Sequence, residues 1–242
     1  MVGQQVWWGR GLAAVAVLAL AGCSVIDEVT STAETDGKPS ASASASAGTG
    51  GGAADSTTTL PGLPDAGQAR QELTGLKVAA HGPMTGYSRS KFPHWASQGE
   101  SCDTREKVLE RAGTGVEQDD KCRAVAGKWV SVYDDEEFTE ASRLDIDHMV
   151  PLANAWRSGA RTWTQEKRKA FANDLTHPQL LAVSAATNRS KGDQGPDEWQ
   201  PPAKSYWCTY ARAWVSVKST YELSVTAAEK DKLGEMLDMC HS

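Results

Sequence analysis

An excess of positive charge is what this sequence most plainly lacks: 25 Lys and Arg stand against 31 Asp and Glu, a formal net charge of -6. A basic chain would draw a polyanion through its overall field, so composition counts against a nucleic-acid partner and leaves any such contact to a local patch. A membrane span is missing at the N-terminus too, where the apolar run Leu12 to Ala21 falls short of the roughly 20 residues that a spanning helix needs. The 5 cysteines include no CxxC pair, which speaks against a four-thiolate zinc site. Apart from a short Ser-Ala alternation there is no internal repeat, which excludes solenoid architectures.

What is present divides the chain into three parts. Arg10 followed by the run Leu12 to Ala21 has the pattern of an export signal. Its end, Leu20-Ala21-Gly22-Cys23, resembles the lipobox of bacterial lipoproteins, which implies cleavage before Cys23 and lipidation of that residue. Residues 1–23 are therefore expected to be a lipoprotein signal peptide. Residues 24–65 are dominated by Ser, Ala, Gly and Thr, a composition that cannot bury a core and reads as a disordered tether. Residues 66–242 remain for one folded domain, and about 175 residues lie within the usual domain range. A chain so organised is expected outside the cytoplasm, held to the outer face of the cell membrane by its lipid alone, or secreted if not lipidated.

Setting Cys23 aside leaves Cys102, Cys122, Cys208 and Cys240, an even set in an exported chain, which reads as disulfides. Three connectivities are possible. Two of them cross the central segment and tie distant parts of the chain, so Cys102 is expected with Cys122 and Cys208 with Cys240. Helical spacing predicts a short helix from Ala66 and another at Arg105 to Arg111. Thr164 is a candidate N-cap for a helix through Phe171, Ala203 to Lys218 places Trp207, Ala211 and Trp214 on one face, and Thr226-Ala227-Ala228-Glu229 is a capping box. Alternation predicts strands at Trp129 to Tyr133, at Leu144 to His148 and at Gln179 to Val183.

The segment Asp145-Ile146-Asp147-His148-Met149-Val150-Pro151-Leu152, with Asn188-Arg189-Ser190-Lys191-Gly192-Asp193 downstream, carries the chemistry. Together they resemble the HNH, or ββα-metal, endonucleases. With Trp156-Arg157-Ser158-Gly159-Ala160 and the later aromatic helices, they resemble a secreted actinobacterial branch related to the C-terminal domain of GmrSD-type restriction enzymes. The resemblance implies an α+β fold: a small antiparallel ββα-metal core with surrounding helices and two disulfides. It implies His148 as general base and Asp147 and Asn188 as catalytic metal ligands. Arg189 and Lys191 are candidate phosphate contacts, and Asp145 a candidate support for the metal or His148.

The chemistry agrees with those roles. Phosphodiester hydrolysis needs a deprotonated water and a cation to offset charge on the phosphate, and a neutral imidazole takes a proton near pH 7. Asp147 and Asn188 are hard oxygen donors suited to Mg²⁺ or Mn²⁺, whereas the zinc-type HNH pattern of histidines on the closing helix is missing. Neighbouring strand residues point to opposite faces, so Asp147 and His148 can share a site only at a bend or a strand end. The implied function is extracytoplasmic, divalent-metal-dependent endonuclease action on nucleic acid, DNA more than RNA. No base-reading module accompanies it, so little sequence preference is expected, and no protein partner. The competing reading is a non-catalytic surface lipoprotein that uses the ββα scaffold as a binding module.

Overall fold

The computed structural model describes residues 60–240. Cys23, the export segment and the tether up to residue 59 lie outside the described residues. Among the described residues there are seven α-helices and seven short strands, in an α+β arrangement clipped by two disulfides.

Strand β6 (Leu144–His148) pairs antiparallel with β7 (Leu180–Ser184), Ile146 opposite Ala182 and Asp147 opposite Leu181. The connection between them is residues 149–179, which hold helices α3 (Leu152–Arg157) and α4 (Gln165–Ala172) rather than a tight turn. Helix α5 (Ala185–Lys191) follows β7 directly. Its N-cap is Ser184, whose Oγ accepts from Thr187 N, and it stops at Gly192, whose φ of 56° is the left-handed backbone that glycine adopts at least cost.

The two-residue period of the pleat splits this hairpin between two apolar clusters. Leu144, Ile146, Leu180 and Ala182 join Val108, Leu109, Trp129 and Phe138. Leu181 and Val183, on the same face as Asp145 and Asp147, join the larger core of Tyr133, Met149, Tyr210 and Trp214. The carboxylate face is thus buried rather than solvated. Helix α2 (Thr104–Ala112) covers the first cluster and clamps the hairpin: Arg105 Nη2 donates to Leu144 O at 3.0 Å and Arg111 Nη2 to Leu180 O at 2.6 Å.

Around this unit stand β1 (Ser97–Gly99) with β2 (Cys102–Asp103), and the antiparallel β3 (Thr114–Gln118), β4 (Ala124–Ser131) and β5 (Glu136–Phe138). The expected strand from Trp129 to Tyr133 begins earlier, at Ala124, and ends at Ser131, where a turn leads into β5. Helices α1 (Ala66–Gly75), α6 (Trp207–Thr220) and α7 (Ala227–Asp238) pack together on the larger core. The capping box at Thr226 and Glu229 is formed, and the Ala203 to Lys218 segment starts as a 3-10 turn at Lys204–Tyr206 before α6. Both disulfides follow the sequential pairing, Cys102 with Cys122 and Cys208 with Cys240, so no cysteine of this domain is a zinc thiolate. The packed chain also reaches further back than Ala66, because Leu60 is 3% exposed and part of the core.

Candidate functional site

Helix α5 lies against the carboxylate face of β6, and two different periodicities bring the side chains together. Residues three apart share a helix face and residues two apart share a strand face, so Asn188 and Lys191 meet Asp145 and Asp147 as two pairs. Asn188 Nδ2 donates to Asp145 Oδ2 at 3.1 Å, and Lys191 Nζ donates to Asp147 Oδ2 at 2.7 Å. The Tyr133 hydroxyl donates to the same Asp147 oxygen at 2.6 Å, and Lys191 Nζ also reaches His148 O at 2.9 Å. Burial pushes Asp147 above the usual carboxylate range and Lys191 below its ordinary value, while their mutual attraction opposes both shifts.

His148 points to the other side of β6. Its Nε2 lies 3.0 Å from Ala172 O at the end of α4. A carbonyl only accepts, so Nε2 carries the proton and Nδ1 presents the lone pair. Burial is the main reason that the imidazole resists protonation, and with nearby Arg89 it lowers the pKa to about 3 despite the opposing Ala172 carbonyl. Trp95 lies near-parallel to the ring at 6.0 Å between centroids, and His94 meets it edge-on at 6.4 Å.

Asp147 and His148 nevertheless line one open cleft of about 200 Å³, with Asn188 and, on the rim, Tyr87, Arg89 and Asp193. The strand end resolves the alternation: pairing is regular up to His148 opposite Leu180, and the chain then leaves β6 for Pro151, which also lines the cleft.

Of the residues singled out in the sequence, Asp147, His148 and Asn188 come together. Asp145 contacts neither His148 nor Asp147; it holds the Asn188 amide. Lys191, expected as a surface phosphate contact, is 0% exposed with its ammonium committed to Asp147, because the pitch of α5 turns it inward. Arg189 is exposed on the same short helix. His177 is held by Asp174, its Nδ1 2.7 Å from Oδ2, and does not line the cleft. Tyr133, Tyr87, Arg89, His94 and Trp95 were missed. No local motif marks them.

Among the described residues no three His, Cys, Asp or Glu side chains converge as metal ligands. Apart from Asp193, which is paired with Arg157, the cleft offers one carboxylate, Asp147, and one amide, Asn188. With Nδ2 given to Asp145, Asn188 keeps its Oδ1 free, and Tyr133 and Lys191 both occupy the same oxygen of Asp147, leaving Oδ1. Two hard oxygens beside an open cleft fit a weakly held Mg²⁺ or Mn²⁺ that keeps most of its sphere for water and phosphate. The Lys191 charge makes that affinity lower than an unpaired carboxylate would give.

An antiparallel strand pair followed by a short crossing helix, with histidine at the strand end and asparagine on the helix, is the ββα arrangement of HNH domains. Residues 103–236, more than half of the chain, match the family of the C-terminal domain of GmrSD restriction endonucleases, and the chain belongs to that family. An uncharacterized secreted protein of Arthroderma benhamiae is 55% identical over 182 residues, which cover 75% of this chain and 89% of that protein. No solved structure matches the chain.

Proposed function

We propose that this protein is an exported, divalent-metal-dependent endonuclease that hydrolyses phosphodiester bonds, of DNA more than RNA, with little sequence preference. The observation that carries the reading is the tautomer of His148: Nε2 is spent on Ala172 O, which leaves Nδ1 without its proton, and His148 lines the same cleft as Asp147 and Asn188. In this reading Nδ1 accepts the proton of the attacking water. Tyr133 and Lys191 hold Asp147 in one orientation, and Asp145 does the same for Asn188, so the cleft is organised before substrate arrives. Asp147 and Asn188 would hold Mg²⁺ or Mn²⁺, whose charge offsets that building on the phosphate and the departing oxygen.

Family membership supports nuclease chemistry in general, and the two disulfides and the secreted relative support export. Placement in the secreted actinobacterial branch rests on motif resemblance, as the relative reported above is fungal. Attachment through Cys23 rests on the Leu20-Ala21-Gly22-Cys23 motif, and Cys23→Ser would then move the protein out of the membrane fraction.

One observation favours the second reading, a surface lipoprotein using the scaffold for binding: the Lys191 ammonium already sits where a cation would meet Asp147. A single assay separates the two. Purified protein is incubated with plasmid and with RNA, with Mg²⁺, with Mn²⁺ and with chelator. Nuclease action predicts metal-dependent cleavage that His148→Ala lowers by orders of magnitude, and Asp147→Ala activity that rises with added metal. Equal cleavage in excess chelator, or none under any condition, ends the nuclease proposal.

A further inference from the structure

Two residues that line the cleft, Tyr87 and Arg89, are not part of the ββα unit. They come from residues 87–95, a stretch that precedes β6 by some fifty positions and is held in place by packing on both sides. Phe92 is 0% exposed and meets Trp156 and Phe171 edge-on. Tyr87 packs against Trp156 at 5.9 Å. The backbone is tied as well: Lys91 O accepts from Arg168 Nε at 3.1 Å and Pro93 O accepts from Asn173 Nδ2 at 2.7 Å. Between these anchors Arg89 sits in the 3-10 turn Arg89–Lys91 and lines the cleft with an exposed side chain.

Charge accounting sets Arg89 apart. The two carboxylates of the cleft already have cations, Asp147 with Lys191 at 2.7 Å and Asp193 with Arg157 at 3.6 Å. Among the described residues no carboxylate lies within ion-pair distance of Arg89. A free guanidinium on a rigid carrier beside a general base does not strengthen that base. It suits a planar oxyanion approaching the base, which the guanidinium fork can bind through two N–H groups.

We propose that Arg89 contacts the substrate phosphate, so that the catalytic cleft is a composite of the ββα unit and this upstream arm. The inference rests on the phosphodiester reading above and names the residue that would receive the backbone.

The test uses two readouts on the whole exported protein. The first is binding of a duplex oligonucleotide in metal-free buffer, followed by anisotropy against salt concentration, in a His148→Ala background. The second is kcat/KM for plasmid cleavage with Mg²⁺. Arg89→Ala should lower kcat/KM by about 10²-fold, the scale for losing one positioned donor. It should also flatten the log–log salt slope of binding by about 1, the mark of one lost phosphate contact. Arg89→Lys should restore the slope but not the full kcat/KM, since charge returns without the fork. Arg161→Ala, an exposed arginine outside the cleft, should leave both unchanged, and the thermal midpoint should stay at the parent value in all three. An unaltered salt slope in Arg89→Ala overturns the proposal, as does an equal loss in Arg161→Ala. If the parent binds duplex with the Arg89-dependent slope but cleaves nothing, the phosphate contact stands and the nuclease reading falls.

Discussion

Two buried lysine–carboxylate pairs flank the same indole and behave as a natural comparison. Lys191 and Lys218 are both 0% exposed, both lie 5.8 Å from the Trp214 ring centroid, and each meets a buried carboxylate, Asp147 at 2.7 Å and Glu229 at 3.0 Å. Their surroundings differ. Glu229 is enclosed: it also accepts from Trp214 Nε1 at 2.6 Å and from Thr226 N at 3.2 Å, so it closes the start of α7 and ties it to α6. Lys218 is spent likewise, on Asn154 Oδ1 and Ser224 O. Asp147 instead borders the cleft at the end of β6. A buried ion pair is by itself weak evidence of function, since desolvation offsets most of its attraction. Access to the carboxylate separates the enclosed pair from the one that borders the cleft.

The largest effect expected is from Lys218→Met, which strands Glu229 without its cation. The loss should be about 3–5 kcal/mol in denaturant unfolding, and added Mg²⁺ or Mn²⁺ should not recover it. Lys218→Met with Glu229→Gln should return most of the stability, because the neutral amide still accepts through Oε1. If the double variant is no better than the single, the pair is not the source of the loss.

Lys191→Met is expected to cost a similar amount in metal-free buffer, for the same reason. The two pairs should part on titration with Mn²⁺. The stranded Asp147 can take a cation from the cleft, so the thermal midpoint of Lys191→Met should climb with Mn²⁺ while that of Lys218→Met stays flat. A flat response in both would erase the distinction.

His148→Ala tests the proposed site directly. Cleavage should drop by about two to four orders of magnitude, the usual contribution of a positioned proton acceptor, while the metal concentration giving half-maximal thermal stabilisation stays near the parent value. Parental turnover in this variant would remove His148 from the mechanism.

The smallest effect is a pH slope. His148 has a folded pKa lowered to about 3, against 6.5 in the unfolded chain. The unfolded state therefore binds the proton first. The stability contributed is fully present above pH 6.5 and is lost as pH falls from there toward 3. Between pH 6.5 and 5.5 the parent should lose about 1 kcal/mol more than His148→Gln does, measured by denaturant unfolding at each pH. Equal slopes would mean that the folded protein does not hold the imidazole against protonation.

Much of this could be read from local pattern. Alternation around Leu144 to His148 marks a strand because a pleat separates its faces every second residue, and the Thr226–Glu229 box marks a helix start because it satisfies backbone N–H groups within one turn. The disulfide pairing followed from chain order. The candidate residues Asp147, His148 and Asn188 were visible as two short motifs, and the fold brings both halves to one cleft.

The sequence by itself determined which elements form and which residue types could do hydrolytic chemistry, since propensity, capping and period act over a few positions. Tertiary structure alone decided the environment of each. Tyr133 and Lys191 reach Asp147 from 14 and 44 residues away. Ala172 fixes the His148 tautomer from 24 residues away, and Arg89 enters the cleft from a separate arm. Such partners leave no trace in spacing, because whether a lysine is a solvated cation or a buried strut depends on what the completed core places beside it.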